Sequence, residues 1–223
     1  MAIGFRIQLR PPAIDRNLID GLRGIPTPII SDNMGRLYAG GAVLRPHHDG
    51  TPMIGVALTV RTRPGDNLMV HKAIDIAEPG DVIVVDAGGE LTNSLIGEIM
   101  LGLARRNGVA GFVIDGAIRD SEALAASSLG VFARGVSHRG PYKDGPGEIN
   151  VPVSVGGQPV SPGDIVIGDA DGVLAISRED AIGVAELARA QVRREVDILA
   201  SIENGTIDRS WVDAALTAKG VAL

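Results

Sequence analysis

The chain contains no cysteine, so disulfides, thiolate nucleophiles and cysteine-ligated zinc are excluded, and a reducing compartment suits it. Aromatic residues are scarce, at 3% of 223 residues, and no basic stripe carries them in the alternation that binds nucleic acid. With 21 basic against 27 acidic residues the formal charge is −6, which repels a phosphate backbone. Nucleic acid is therefore not an expected partner. No apolar run reaches the ~18 residues of a membrane span, and the opening MAIGFRIQLRPP has no signal-peptide core. No membrane association is expected, and the protein is expected to be soluble and cytoplasmic.

What is present is 45% hydrophobic residues and 30 glycines, so the core must be built from Val, Ile, Leu and Ala. Such filling suits buried sheets flanked by helices, and the expected class is α/β. Residues 1–12 are expected to form an arm, ended by Pro11-Pro12. Ile14, Leu18, Ile19 and Leu22 then repeat at helical spacing until Gly24 and Pro26 interrupt them. TPIISDNMG is a possible second helix, IGVALTVRT (54–62) a strand, and NLMVHKAIDIAEPG a helix stopped at Pro79-Gly80.

Two segments 83 residues apart, PGDVIVVDAGG (79–89) and PGDIVIGDADG (162–172), share a turn, four mostly branched apolar residues and a terminal acid. Two matches this short point to similar strands in one sheet system rather than to a duplicated domain. The chain is accordingly read as one domain, 1–223, with an N-terminal arm and a C-terminal helical tail. GFVID (111–115) and VFARG are further strands with SEALAASSLG as a short helix between them, and SHRGPYKDGPGEIN (137–150) is expected to be loop. A long helix from Arg178 to about Ile202 should bury Ile182, Ala185, Leu187, Val192, Val196, Leu199 and Ile202.

The chemistry concentrates in 97–120, GEIMLGLARRNGVAGFVIDGAIRD. The pairs Leu95-Ile96, Ile99-Met100 and Leu103-Ala104 predict a helix capped at Asn93 or Ser94, which leaves only the first of the amides of Gly97 to Met100 free. A start near Gly97 instead frees these amides as an anion pocket. The following strand returns to the helix start, and the GAIRD turn delivers Arg119 and Asp120 there, beside Glu98. An arginine beside helix amides clamps a carboxylate, and an Asp next to a Glu offers hard oxygen ligands for Mg²⁺ or Mn²⁺. Together these groups suit a 2-oxo acid. Surface arginine and acid neighbours are common, so the alternative is a solvated, nonfunctional pair.

Other candidates are weaker. His47 and His48 are expected on the surface, and His71 and His138 lack an informative partner. Asp32 and Asp86 are as well explained by caps and turns. VVDAGGE lacks a full glycine-rich nucleotide fingerprint.

The run DAGGELTNSLIGEIMLGLARRNGVAGFVIDGAIRD, with twenty residues between Glu98 and Arg119, followed by PGDIVIGDADGVLAI, resembles the RraA-like family over about residues 27 to 205. That family includes regulators of ribonuclease E activity and 4-hydroxy-4-methyl-2-oxoglutarate aldolases. The resemblance implies a three-layer β/β/α swivelling sandwich, a homotrimer or hexamer with sites between subunits, and a divalent-metal class II aldolase that also decarboxylates oxaloacetate. It implies 4-hydroxy-4-methyl-2-oxoglutarate or 4-carboxy-4-hydroxy-2-oxoadipate as substrate. The backbone of Gly97, Glu98, Ile99 and Met100 would hold the substrate carboxylate, Arg119 would contact its oxygens, and Asp120 would ligate the metal. Glu98 would hold metal-bound water, and Glu195 of a neighbouring subunit is a candidate for a further carboxylate. Ribonuclease-regulating members lack the aspartate after the arginine, so Asp120 points to the enzymatic branch. The alternatives are a noncatalytic regulator that binds a protein, or a related lyase for another hydroxylated 2-oxo acid.

Overall fold

A computed structural model describes residues 3–36 and 41–223. The chain runs β1 (Phe5–Ile7), α1 (Arg16–Leu22), α2 (Thr27–Asn33), a short 3-10 turn, β2 (Arg45–Pro46), β3 (Met53–Thr62), α3 (Leu68–Ile76) and β4 (Asp81–Asp86). It continues with β5 (Ser94–Ile96), α4 (Glu98–Arg106), β6 (Gly111–Ile118), α5 (Ser121–Ala125), β7 (Gly130–Val136), β8 (Gly147–Ile149), β9 (Val153–Val155) and β10 (Gln158–Val160). β11 (Ile165–Gly168), β12 (Val173–Ile176), α6 (Ala181–Glu203) and α7 (Ser210–Ala218) complete it.

The centre is a parallel set, β3-β4-β6-β7, inside a ten-stranded mixed sheet. Every residue of β6 is buried, as a parallel strand covered on both faces requires. On one face α3 and α4 supply Val70, Ile74, Leu101 and Ala104 to a cluster with Ile83, Ile114 and Val131. On the other, Val82, Val84 and Val113 meet Val153, Val155 and Val160 of the β9-β10 hairpin. Helix, central sheet and a smaller β layer therefore stack as the expected α/β sandwich. A third cluster joins α1, α2 and α6 to β11-β12 through Leu22, Ile30, Leu174 and Ala188.

The two PGD segments end on opposite sides of one strand. β4 pairs with β3 in parallel, Val56 opposite Asp81, while β11 pairs with it antiparallel, Ile165 opposite Val56. Opposite orientations on a shared neighbour make them two strands of one sheet system, as read from the sequence.

Four expectations are corrected. Ser94–Ile96 is a strand, β5, pairing with β6, and the helix starts only at Glu98. The arm contains β1, which pairs with β8 inside the segment 137–150 expected to be loop. β6 extends through Gly116–Ile118, which had been assigned to a turn. In α6 the buried residues are Ala181, Val184, Ala185 and Ala188, whereas Ile182, Leu187, Val196, Leu199 and Ile202 are exposed. The small alanine face packs on α1 and α2, and the predicted leucine and isoleucine stripe points away.

Candidate active site

β5 runs beside the end of β6, with Ser94 opposite Ala117 and Ile96 opposite Ile118. At Gly97 the chain is extended, and α4 begins at the next residue. The Arg119 N–H donates to the Ile96 carbonyl at 3.0 Å, so the residues after β6 are tied to the residue before Gly97. Asp120 follows in the left-handed region, φ 56° and ψ 43°, a conformation that Asp tolerates better than most residues. This bend turns its carboxylate towards α4, where Oδ2 accepts the Glu98 N–H at 2.9 Å. Gly97 has no side chain to cap α4; Asp120 caps it from across the turn.

At Gly97 any side chain would displace its neighbours. A Cβ would fall inside contact distance of Asp120 Oδ2, 3.0 Å from Arg119 Cγ and 3.2 Å from Arg119 Nε. Arg119 Nε lies 3.8 Å from Asp120 Oδ2, with both side chains about two-fifths exposed, so the guanidinium is close to the acid without being consumed by it. The structure thus brings Gly97, Glu98, Arg119 and Asp120 together, as the sequence required.

Beside them is a recess of about 40 Å³, room for a carboxylate-sized group, bordered by Gly97, Ile99, Met100, Arg119, Asn67 and Lys143. The amides of Ile99 and Met100 belong to the first helical turn, which cannot satisfy them internally. Asn67 is 2% exposed; its Nδ2 donates to the Leu95 carbonyl at 2.8 Å and fixes the segment entering Gly97. Neither Asn67 nor Lys143 was singled out from the sequence, because both are distant in the chain from the 97–120 segment. Burial, and secondarily the charge of Lys143, push the His71 imidazole below its ordinary value.

An open groove leads away from Asp120, between Glu98, Glu122 and Ala126 on one side and Val136, Ser137 and His138 on the other. His138, which sequence spacing left without a role, lines it. A separate cavity of about 400 Å³ lies at the amino-terminal ends of β3 and β4. Its buried acid, Asp81, is paired with Arg10, and its exposed Asp20 lies 3.6 Å from Arg23.

No group of three or more His, Cys, Asp or Glu side chains able to enclose a metal occurs among the described residues. What the site offers is sparse and mostly oxygen: Asp120 Oδ1, with Glu98 and Glu122 on the same groove and His138 as its one imidazole. That donor set fits Mg²⁺ or Mn²⁺, which keep several waters, and does not fit zinc, which favours nitrogen and sulfur.

The remaining candidates lie elsewhere. Asp32 pairs with Arg36 at 2.8 Å, and Asp86 accepts the Gly88 and Ser154 N–H groups, a turn role. His47 and His48 are half-buried rather than on the surface; His48 meets Phe132 edge-on at 5.2 Å. Glu195 accepts from Gln191 on its own helix.

Fold and site define an α/β protein with a small recess at the carboxyl ends of parallel strands, where open sheets of this kind bind ligands. The family model described as RraA-like (Aldolase/RraA) matches residues 27–175, and the chain belongs to that family. It is 43% identical over 173 residues to a Halalkalibacterium halodurans protein provisionally named 4-hydroxy-4-methyl-2-oxoglutarate aldolase, covering 78% of this chain and 82% of that one. Among solved structures, an uncharacterized protein from Pseudomonas syringae pv. tomato superposes with a TM-score of 0.77 at 27% identity, over 88% of this chain and 97% of that one. The RNA-processing inhibitor RraA from Thermus thermophilis does so with a TM-score of 0.61 at 32% identity, over 68% and 92%. No helix among the described residues is long and apolar enough to cross a membrane.

Proposed function

We propose that the protein is a lyase that cleaves 4-hydroxy-4-methyl-2-oxoglutarate or 4-carboxy-4-hydroxy-2-oxoadipate to pyruvate and a second 2-oxo acid, and that decarboxylates oxaloacetate. The observation that supports this reading is the Asp120 carboxylate hydrogen-bonded to the Glu98 amide beside Arg119, next to a recess of carboxylate size.

The first-turn amides of Ile99 and Met100 hold the C1 carboxylate of the substrate in the recess beside Gly97, while the Glu98 amide is taken up by Asp120. Arg119 lies against the 2-oxo oxygen, where its fixed charge stabilises the enolate oxygen that develops as the C3–C4 bond breaks. Glu98 accepts, through a water, the proton of the C4 hydroxyl, and C4 becomes the carbonyl of the departing 2-oxo acid. The C3–C4 electron pair passes to the pyruvate enolate, which is protonated at C3. Oxaloacetate loses CO₂ to give the same enolate, so one site serves both reactions. Asp120 would hold a divalent cation, Mg²⁺ or Mn²⁺, which supplies Lewis-acid polarisation of the 2-oxo group. Assembly as a homotrimer or hexamer belongs to the same proposal, with Glu195 of a neighbouring copy near the site. The exposed Val196, Leu199, Ile202 and Trp211 of the C-terminal helices support it.

The similarity to the Thermus RraA favours a second reading, a noncatalytic regulator that binds a protein. Pyruvate release from oxaloacetate and from 4-hydroxy-4-methyl-2-oxoglutarate, with Mg²⁺ and with EDTA, separates the two. Metal-dependent turnover that is lost in a folded Asp120→Ala variant supports the lyase, and near-normal turnover in that variant overturns the role given to Asp120. No turnover in the wild type leaves the regulator.

A further inference from the structure

We propose that Asp66, which lines neither the recess nor the groove, is a positioning residue: it anchors the segment carrying Lys143, so that the Lys143 ammonium is shared between Asn67 Oδ1 and the carboxylate held in the recess. The proposal rests on the lyase reading above.

Asp66 is fully buried, and a buried carboxylate must find its partners inside the protein. Its Oδ1 accepts the Leu68 N–H at 3.0 Å, at the start of α3. Its Oδ2 accepts the N–H groups of Asp144 and Gly145, both at 2.8 Å, and lies 3.1 Å from Arg63 Nη2. On the other side of Lys143, the Asn67 N–H donates to the Tyr142 carbonyl at 3.0 Å, and the Tyr142 N–H donates to the Gly65 carbonyl at 2.8 Å. The backbone on both sides of Lys143 is therefore tied to residues 65–67. Capping α3 needs one oxygen of Asp66; the other is given to Arg63 and to the two residues that follow Lys143.

The recess supplies the reason for placing a cation there. Asn67, which borders it, gives its Nδ2 to the Leu95 carbonyl and keeps a buried Oδ1 with no donor among the described residues. An orphaned buried acceptor is costly, and a carboxylate entering beside it sets a second acceptor against the first. A group with several N–H donors satisfies both. Lys143 has three, borders the same recess, is exposed, and enters no ion pair among the described residues. Arg119, the other cation at the recess, is set against Asp120.

The test measures KM and kcat of the full chain on oxaloacetate with Mg²⁺, by pyruvate release, in wild type, Asp66→Asn, Lys143→Ala and the double variant. Asp66→Asn keeps an acceptor for Leu68 but sets an amide NH₂ against the N–H groups of Asp144 and Gly145. Each single variant should raise KM about tenfold, the loss of one charge-assisted hydrogen bond, with kcat changed less than about threefold. The double variant should raise KM no further, because both changes remove the same contact. If Asp66 served the fold alone, the two effects would multiply to about a hundredfold; that result overturns the proposal, as does an unchanged KM in either single variant. Asp66→Ser, whose hydroxyl still caps Leu68 without opposing the two N–H groups, takes the place of Asp66→Asn in the same cycle if the latter does not fold. Wild type that turns over with flat KM across the set overturns this proposal alone; wild type that releases no pyruvate overturns the lyase reading with it.

Discussion

Replacing Gly97 with alanine adds one methyl group at the point where Asp120, Arg119 and α4 converge. The backbone at Gly97 is extended, φ −155° and ψ −166°, so alanine meets no conformational penalty. The methyl falls inside contact distance of Asp120 Oδ2, the far end of a short and partly exposed side chain, so the carboxylate yields by swinging off the Glu98 N–H. A hydrogen bond to a charged acceptor contributes about 1.5–3 kcal/mol, and the exposure of Asp120 places this one at the low end. Against that loss, the glycine to alanine change removes unfolded-chain entropy and returns about 0.4–1 kcal/mol. The net destabilisation is about 1 kcal/mol, a fall in Tm of ~2–4 °C for a chain of this size. The effect on turnover is much larger, since a misplacement of ~1 Å in a positioning group costs about 10²-fold in rate. Thermal unfolding and pyruvate release with Mg²⁺ measure the two separately. Gly97→Ala turnover within twofold of wild type would show that the position of the Asp120 carboxylate does not matter to the chemistry, and the assignment would fail.

Asp164, 8% exposed, has its carboxyl pushed up to about 6 by burial, against the Ser161 N–H, which holds it down. A folded-state value above the unfolded one means no penalty below pH ~3, where both states are protonated, and a full penalty above pH ~6. Asp164→Asn should therefore gain ~2 kcal/mol in denaturant unfolding at pH 7.5 and close to nothing at pH 3; equal gains at both would rule out the desolvation argument. Asp120→Gly should be more stable than Asp120→Ala by ~1 kcal/mol, because glycine adopts the left-handed backbone freely, while both lose metal-dependent turnover. Equal unfolding midpoints would show that the bend at Asp120 stores no strain.

The strands that were legible, β3, β4, β6 and β11, are runs of branched apolar residues bounded by Pro-Gly or Gly, where local signal and burial agree. β5 was not, because Leu95-Ile96 stands four residues before Ile99-Met100 and mimics a helical stripe. Three residues are too few to show alternation, and all of β5 is buried, so burial carries no period either. β1 was invisible for the opposite reason. Its residues are all exposed, and its strand conformation comes from parallel pairing with β8 and the Arg6–Glu148 ion pair at 2.5 Å, 142 residues away in sequence. The same kind of distance hid Asn67, Lys143 and His138, which reach the site from α3 and from the segment after β7.

Glu98, Arg119 and Asp120 were legible for a reason of length rather than of composition. α4 has nine residues and runs back from the site for ~14 Å, at 1.5 Å per residue. β6 has eight and returns ~26 Å at ~3.3 Å per residue. Asn107 and Gly108 turn the chain back tightly, the Gly108 N–H donating to the Arg105 carbonyl and the Val109 N–H to the Ala104 carbonyl. β6, the longer of the two, carries the chain back past the helix, and the residue after it arrives beside β5 and the helix start. The hydrogen bond from Arg119 N–H to the Ile96 carbonyl records that closure, and the left-handed bend at Asp120 converts it into a carboxylate aimed at the first amide of α4. Asp120 thus completes the helix start and presents its second oxygen to the groove, so one residue fixes both the end of the fold element and the geometry of the chemistry. In the RraA-like chain described here, the twenty residues separating Glu98 from Arg119 are the length of one out-and-back path across the sheet.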